Sequence, residues 1–287
     1  MRSLFIGIGG TGDEVLARLK DKVYATSGSI PPTLQFRLID TEADDHRKNK
    51  GARLGGEGSA TAIEGNEYLQ LQDDPPGTFA DYTRKVARDP QTMAEMARWY
   101  RADLFQENLS NADFNLVRGA GQHRQFARMG AFLNKQRVVS MLRYAMENCG
   151  HADGELPIWI IGSVAGGTGA GLYMDLALLA RLVAEQMGLR FRIIGAAVLP
   201  DAYKDVDIDG ARAYAVIREL ERFQAPVETE YRGRISEQED GIRFSVDYDS
   251  STRVSLTDKL FDNLVFYNRE CKSADGRKSI FPKSPTG

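Results

Sequence analysis

A glycine-rich segment near the middle of the sequence has the composition of a loop that holds phosphate groups. Residues 158–171, IWIIGSVAGGTGAG, join an apolar run to an apolar helical pattern through this loop. Glycines lack a Cβ atom, so we expect the backbone to approach an anion closely. The first N–H groups of the following helix would add donors and a positive dipole end. A nucleotide is therefore the first ligand to consider. The glycines concerned are Gly166, Gly167, Gly169 and Gly171.

Two further glycine turns stand in comparable places. Residues 7–12, GIGGTG, follow an apolar run and precede apolar residues at helical spacing. Residues 118–134 contain a glycine turn followed by a helical pattern, which suggests another helix end that faces an anion. Three arginines in this segment, Arg118, Arg124 and Arg128, are candidates to neutralise phosphate charge. The alternative for Arg124 and Arg128 is a helical face exposed to solvent.

The elements that must position these loops alternate between strands and helices. Strands are predicted at 3–8, 34–39, 157–163, 191–199 and 264–267, and helices after residue 12 and at 89–106, 138–146, 172–187 and 209–223. Such alternation with right-handed crossovers predicts an α/β fold, a Rossmann-like and mostly parallel sheet flanked by helices. Ligands of such sheets bind beyond the carboxyl ends of the strands, where the glycine loops fall. Residues 226–257 alternate polar and β-forming residues, which predicts a small antiparallel insertion.

Composition excludes several classes of function. The formal charge of −3 and the pI near 5.8 argue against generic binding to nucleic acid or to an acidic membrane. No apolar run approaches the ~20 residues that span a bilayer. The chain has two cysteines without metal-type spacing, and its three histidines lack ligand spacing, so we assign no metal or catalytic role to them. These features predict a cytoplasmic protein.

Known nucleotide folds can be compared by their motifs. No glycine loop here ends in Gly-Lys-Ser/Thr, so the P-loop is a weak match. A dinucleotide-binding unit requires G-x-G-x-x-G, which Gly7, Gly9 and Gly12 supply between a strand and a helix. The acidic residue of that unit is expected about 20 residues further on, whereas Asp40 lies further away, and the other glycine loops stay unexplained. An NAD(P)-binding oxidoreductase remains an alternative.

Taken together, the loops resemble those of the tubulin/FtsZ superfamily of cytoskeletal GTPases. The segment 165–171, AGGTGAG, resembles that family's signature GGGTG[ST]G, with alanine at the first and sixth positions. Residues 7–12 resemble its first loop and residues 40–43, DTEA, its second. Further similar segments are the glycine turn 119–121, the acidic-Gly-x-Arg element 209–212, and 265–268, a strand that ends in Asn.

The resemblance implies a prokaryotic tubulin-like protein that binds GTP or GDP with Mg²⁺. In this comparison Asp40 lies near a phosphate-bound Mg²⁺, Asp209 and Arg212 contact the ribose and base, and Asn268 reads guanine. No residue is assigned as a direct metal ligand. The implied nucleotide-binding residues are Gly9, Gly10, Thr11, Gly12, Asp40, Thr41, Gly119, Ala120, Gly121, Ala165, Gly166, Gly167, Thr168, Gly169, Asp209, Arg212 and Asn268.

The resemblance also implies head-to-tail self-assembly into filaments. Residues 1–270 would form the nucleotide-binding domain, and 271–287 a tail or the start of a missing second domain. Tubulin-like GTPases continue into a long helix and an acidic loop that completes the neighbouring subunit's active site. Since this sequence offers no such acidic loop, catalytic residues and GTP hydrolysis by this chain alone stay unassigned. The alternative is a nucleotide sensor that does not polymerise and that contacts a partner protein through 42–62 and 226–257.

Overall fold

The computed structural model describes most of the chain. The described residues are 2–42, 61–63, 65–71, 81, 84, 88, 90–101, 120, 123–150, 154–203, 210–224 and 244–268. Their strands are β1 (Ser3–Ile8), β2 (Leu34–Asp40), β3 (Tyr68–Gln70), β4 (Leu156–Ser163), β5 (Phe191–Val198), β6 (Phe244–Asp249), β7 (Thr252–Leu256) and β8 (Asn263–Tyr267). Their α-helices are α1 (Gly9–Ser27), α2 (Pro90–Met96), α3 (Arg124–Asn148), α4 (Gly167–Gln186) and α5 (Gly210–Gln224).

Six of the strands form one sheet in the order β3-β2-β1-β4-β5-β8, and all five pairings are parallel. The predicted α/β fold with a mostly parallel sheet is confirmed. The strand order reverses between β1 and β4, where Ile6 of β1 pairs with Ile160 of β4. Ligands of such sheets bind beyond the carboxyl ends of the strands at this point of reversal.

The central strands are apolar because both faces of the sheet are covered. In β1, Leu4 and Ile6 belong to the larger core, which α3, α4 and α5 cover. Between them Phe5 faces the α1 side, where its ring lies 5.2 Å from that of Phe36 and 6.2 Å from that of Trp159, centroid to centroid. The alternation of side chains along β1 therefore fixes which face each helix covers.

Strands β6 and β7 pair antiparallel, which confirms the predicted small antiparallel unit. This hairpin belongs to the main core, in which Val246, Tyr248, Val254 and Leu256 are buried. It is also held by polar contacts, since Thr92 Oγ1 donates to the carbonyl of Tyr248 at 2.8 Å. The rest of the predicted insertion, residues 226–243, lies outside the described residues.

Several elements differ from the sequence predictions. Helix α1 begins at Gly9, before the predicted start after residue 12, and α3 begins at Arg124, well before the predicted 138. Helix α4 begins at Gly167, inside the glycine loop, because glycine residues there already have helical geometry. Helix α2 ends at Met96, well short of the predicted 106. Strand β3 is only three residues long, too short for a periodic pattern to indicate it. In the described part of the chain, every helix is too short or too polar to cross a membrane.

Candidate functional site

Two of the glycine loops meet where the strand order reverses. One follows β1 and the other follows β4, which are neighbours in the sheet. A Cβ atom at Gly9 would lie 3.4 Å from Cβ of Thr168. Gly9 also has φ of +66°, a conformation that side chains other than glycine rarely adopt. The backbone conformation therefore favours glycine at this position, and the 3.4 Å separation shows that the two loops lie against each other.

Both loops lead directly into helices whose N-cap residues provide no capping side chain. The residues that precede α1 and α4, Ile8 and Gly166, are extended, and neither forms a side-chain capping hydrogen bond. Neither helix has an acidic residue in its first turn. The first N–H groups of a helix lack partners within that helix, and the dipole is positive there. Two donor-rich helix ends thus converge on one edge of the sheet.

The glycines of the central loop have two different roles. A Cβ atom at Gly166 would meet no atom within 4 Å, so this position borders open space. At Gly169 it would lie 2.1 Å from the carbonyl oxygen of Ser163, and at Gly171 it would lie 2.4 Å from that of Arg124. Close packing therefore explains the glycines at 169 and 171. The sequence analysis interpreted all four glycines of this loop as leaving room for an anion, and Gly166 agrees with that interpretation.

The segment after β2 connects to the central loop. Oδ1 of Asp40 accepts hydrogen bonds from the backbone N–H groups of Thr41 at 2.7 Å and Glu42 at 3.2 Å. Asp40 is buried. The hydroxyl of Thr41 lies 2.7 Å from that of Thr168 and shares a hydrogen bond with it. Predicted site residues from three separate segments, Gly9, Asp40–Thr41 and Thr168, are therefore brought together.

Other predicted residues lie around the same edge. The hydroxyl of Thr11 hydrogen-bonds the hydroxyl of Tyr203 at 2.5 Å, and Nη1 of Arg212 donates to the carbonyl of Ala165 at 3.4 Å. Nδ2 of Asn268 donates to Oδ2 of Asp201 at 3.2 Å. Tyr203 and Asp201 were missed by sequence reasoning, because a lone tyrosine or aspartate after a strand carries no motif.

The third predicted glycine turn is described only in part. Arg118, Gly119 and Gly121 lie outside the described residues, as does Asp209. Ala120 is buried in the main core, and its carbonyl accepts the N–H of His123 at 2.7 Å. Burial lowers the pKa of His123, and the positive charge of Arg212 lowers it further.

The arginines of α3 contact protein groups. Arg124 forms an ion pair with Glu219 and donates to the carbonyl of Ala170 at 3.3 Å. Nε of Arg128 lies 3.0 Å from the buried carboxylate of Asp175, which also accepts a hydrogen bond from Tyr248 at 2.7 Å. Burial of Tyr248 and the neighbouring carboxylate of Asp175 raise the pKa of the tyrosine well above its usual value. The two arginines are thus neither a solvated face nor evident phosphate ligands.

The chemistry of this edge suits an anion held mainly by backbone groups. In the described ranges, no cluster of three or more His, Cys, Asp or Glu residues is placed to hold a metal ion directly. Mg²⁺ in nucleotide sites is held by one or two carboxylates, water and the phosphates themselves. Two uncapped helix ends, the open space at Gly166 and the nearby Asp40 fit a phosphate group accompanied by such an ion.

Comparison with known proteins gives one family match. A family model described as "Tubulin like" matches residues 4–270. No curated protein matches the chain.

Several solved structures are similar to this chain. CetZ from Methanosaeta thermophila strain DSM 6194 is 15% identical, with a TM-score of 0.44 over 76% of this chain and 42% of its own. CetZ1 from Haloferax volcanii, a GDP-bound monomer, is 11% identical, with a TM-score of 0.41 over 81% and 55%. Clostridium botulinum phage c-st TubZ, truncated at its C-terminal tail, is 14% identical, with a TM-score of 0.39 over 76% and 48%. The chain thus spans about half the length of these proteins.

Proposed function

This chain belongs to the tubulin-like family, and from that membership we propose that it binds GTP or GDP, together with Mg²⁺, at the sheet edge beyond β1 and β4. The observation that carries this proposal is the meeting of two uncapped helix ends beside the open space at Gly166. Backbone amides of residues 10–12 and 166–169 would hold the phosphate groups. A lysine is not required, because the amides and the helix dipoles supply the positive potential.

Side chains around this edge would complete the recognition of the nucleotide. Asp40 would contact the hydration shell of a phosphate-bound Mg²⁺. The hydrogen bond between the hydroxyls of Thr41 and Thr168 supports a site at this edge, because it joins two of the proposed loops. Asp209 and Arg212 would contact the ribose and the base. Asn268 would read guanine through its amide donor and acceptor. The remaining positions proposed for the γ-phosphate are Gly119, Ala120 and Gly121.

We further propose that residues 1–270 form one nucleotide-binding domain and that the protein assembles head to tail in the cytoplasm. Contacts between unlike surfaces propagate into filaments unless a rotation closes them. The residues around the γ-phosphate, 40–62 and 118–124, would report the nucleotide state to the next subunit. Hydrolysis would then depend on a carboxylate supplied by that neighbour. Residues 271–287 would form a tail or lead into a further domain.

Calorimetric titration with GTP, ATP and NAD⁺ in the presence of Mg²⁺ tests the ligand. We expect GTP to bind at least tenfold more tightly than either competitor. A preference for NAD⁺ would instead support a dinucleotide-binding oxidoreductase, since the strand order and the Gly7-x-Gly9-x-x-Gly12 spacing are also those of that fold. The absence of any binding would contradict the proposal.

Gly166→Val places an obstacle in the proposed phosphate site without a clash. The backbone at Gly166 is extended, with φ of −80° and ψ of 163°, which valine adopts readily. Because no atom lies within 4 Å of a Cβ atom there, we expect an unchanged Tm. GTP affinity should fall by tenfold or more, with a smaller loss in Gly166→Ala. Unchanged affinity in both variants would place the nucleotide elsewhere.

Sedimentation with and without GTP tests assembly separately from binding. A pelleted fraction that appears with GTP and is absent in Gly166→Val would support filament formation. If GTP binds in solution and no pellet forms over a range of protein concentrations, the chain is better described as a nucleotide sensor. In that case, residues 42–62 and 226–257 become the proposed contacts with a partner protein.

A further inference from the structure

The turn that follows β5 lies at the same edge of the sheet as the proposed nucleotide site. Strands β5 and β8 are parallel neighbours, and the N–H of Leu199, just after β5, donates to the carbonyl of Tyr267 at the end of β8 at 2.9 Å. The turn itself, Pro200–Ala202, is a single helical turn, in which the carbonyl of Pro200 accepts the N–H of Tyr203 at 3.0 Å. Residues after β5 are therefore held beside the residue that follows β8.

Two side chains of this turn contact two residues of the proposed site. Oδ2 of Asp201 accepts a hydrogen bond from Nδ2 of Asn268 at 3.2 Å. The hydroxyl of Tyr203 shares a hydrogen bond with that of Thr11 at 2.5 Å. Thr11 belongs to the loop proposed to hold phosphate, and Asn268 is the residue proposed to read the base. Because Tyr203 joins the turn to the phosphate loop, Asp201 has a defined position at the base end of the site.

The contact with Asp201 sets the orientation of the amide of Asn268. An ionised carboxylate accepts hydrogen bonds and donates none, so the nitrogen of the amide, and not its oxygen, faces Asp201. This bond uses one of the two N–H donors of that nitrogen. A base that binds beside Asn268 would therefore meet the amide in one orientation.

The orientation of an amide distinguishes guanine from adenine. On the pairing edge of guanine, O6 accepts a hydrogen bond and the neighbouring N1–H donates one. On adenine the 6-amino group donates and the neighbouring N1 accepts. An amide that pairs with both atoms must be turned over to change from one base to the other, because its oxygen only accepts and its nitrogen only donates. In the wrong orientation, polar atoms stay unpaired, which is costly.

We propose that Asp201 is the positioning residue that makes the site select guanine. Its carboxylate holds the amide of Asn268 so that Oδ1 accepts from N1–H of guanine, and it prevents the amide from turning over to pair with adenine. This inference rests on the nucleotide binding proposed above and adds the source of base selection. Selection of this kind penalises the wrong base more than it strengthens binding of the right one.

Calorimetric titration of Asp201→Ala with GTP, ITP and ATP in the presence of Mg²⁺ tests this role. The hypoxanthine of ITP keeps the O6 and N1–H of guanine and lacks the 2-amino group. We expect the affinity for ATP to rise at least about fivefold, because the amide can now turn over. The affinities for GTP and ITP should change by less than about twofold, since the productive orientation stays accessible. General damage to the site would instead weaken all three nucleotides.

Asp258→Ala is the matched control for the change in charge. Asp258 is exposed, and its Oδ1 accepts the N–H of Lys259 before β8 begins, whereas Asn268 follows the other end of that strand. We expect this control to leave the ratio of GTP to ATP affinity unchanged. A rise in ATP affinity of the same size in both variants would overturn the proposal, because loss of a negative charge would then explain it.

A double-mutant cycle tests whether Asp201 acts through Asn268. Asn268→Ala should weaken GTP binding, because it removes the proposed contact with the base. When Asp201→Ala is added to Asn268→Ala, we expect no further change in the ratio of GTP to ATP affinity. A gain in ATP affinity that persists without the amide would overturn the positioning role.

The wild-type protein separates a failure of this inference from a failure of the proposed function. If it binds none of the three nucleotides, both are wrong. If it binds GTP and ATP equally, selection of guanine is wrong, whereas loss of binding in Gly166→Val would still support the phosphate site. If it prefers GTP and the preference is unchanged in Asp201→Ala, the nucleotide site stands and the role of Asp201 is overturned.

Discussion

At the sheet edge, the proposed nucleotide site consists largely of main-chain groups from two short loops, whereas a cavity between α3, α4, α5 and the hairpin of β6 and β7 is lined by side chains from separate parts of the chain. In the first, glycines admit a ligand or allow close packing, and helix ends supply the charge. In the second, the described part of the lining includes arginines, carboxylates and aromatic rings from several elements, which the fold must bring together. A main-chain site is therefore local in sequence, and a side-chain site depends on the completed tertiary structure.

Asp175→Ala should cause the largest loss of stability, and the contacts that it removes lie between the helices and the hairpin outside the sheet. It removes a buried carboxylate that pairs with Arg128 and accepts a hydrogen bond from Tyr248 of the hairpin. Removing one partner of a buried pair costs about 3–5 kcal/mol of stability. Urea unfolding measures the loss. As a control, Glu221→Ala breaks the exposed pair with Arg218 and should cost less than about 1 kcal/mol. Equal losses in both variants would contradict this ranking.

Comparing Gly169→Ala with Gly166→Ala distinguishes a glycine that is needed for close packing from one that leaves room for a ligand. A Cβ atom at Gly169 would lie 2.1 Å from the carbonyl oxygen of Ser163, so we expect a loss of about 1–3 kcal/mol in unfolding free energy. Gly166→Ala adds the same methyl group in open space and should leave stability unchanged or raise it by up to about 1 kcal/mol. Similar stabilities for the two variants would mean that the loop tolerates a side chain at either position.

Thr168→Val tests the link between the central loop and the segment after β2. The substitution keeps the shape and removes the hydroxyl that lies 2.7 Å from that of Thr41. We expect a loss of about 0.5–1.5 kcal/mol in thermal unfolding. In a double-mutant cycle with Thr41→Val, the second substitution should then cost little more. Additive losses would show that the two hydroxyls do not stabilise each other.

His123→Gln should have the smallest effect on stability, and we expect to detect that effect only by measuring how stability depends on pH. The pKa of His123 is lowered in the folded state by burial and by Arg212, so the unfolded state binds more protons. Its contribution to stability is present above the unfolded pKa and is lost as pH falls through the lowered folded value. We expect the wild-type protein to lose more stability than the variant as the pH falls from about 7.5 to 5. Identical pH profiles from chemical unfolding would contradict this.

Much of the fold was predictable because its elements are local and strongly patterned. The boundaries of β1 were predicted correctly, and those of β2, β4, β5 and β8 to within one residue. The antiparallel pair within 226–257 was also predicted. Strand β3 was missed because three residues give no periodicity. The sequence indicates a hairpin, and its integration into the core through Tyr248 depends on contacts with distant residues.

The residues of the two sites also differ in how far the sequence predicts them. Gly9, Thr168 and Asp40 were predicted from loop motifs, and the structure brings them together. That these residues contact a nucleotide stays a prediction. The packing roles of Gly169 and Gly171 were not predictable, because their neighbours in space are backbone atoms of other elements. The cavity between α3, α4, α5 and the hairpin has no sequence signal, since Trp99, Asp175 and Arg222, which line it, belong to no motif.

The strand order also has a consequence for synthesis on the ribosome. Strand β1 pairs with β2 on one side, and its other neighbour, β4, begins at Leu156. At about 5–20 residues per second, roughly 8–30 s pass between synthesis of β1 and synthesis of that partner. Throughout this interval one hydrogen-bonding edge of β1, one of the two central strands, is unpaired, and such edges template aggregation. We expect the nascent chain to need chaperone protection until β4 and α4 have left the exit tunnel.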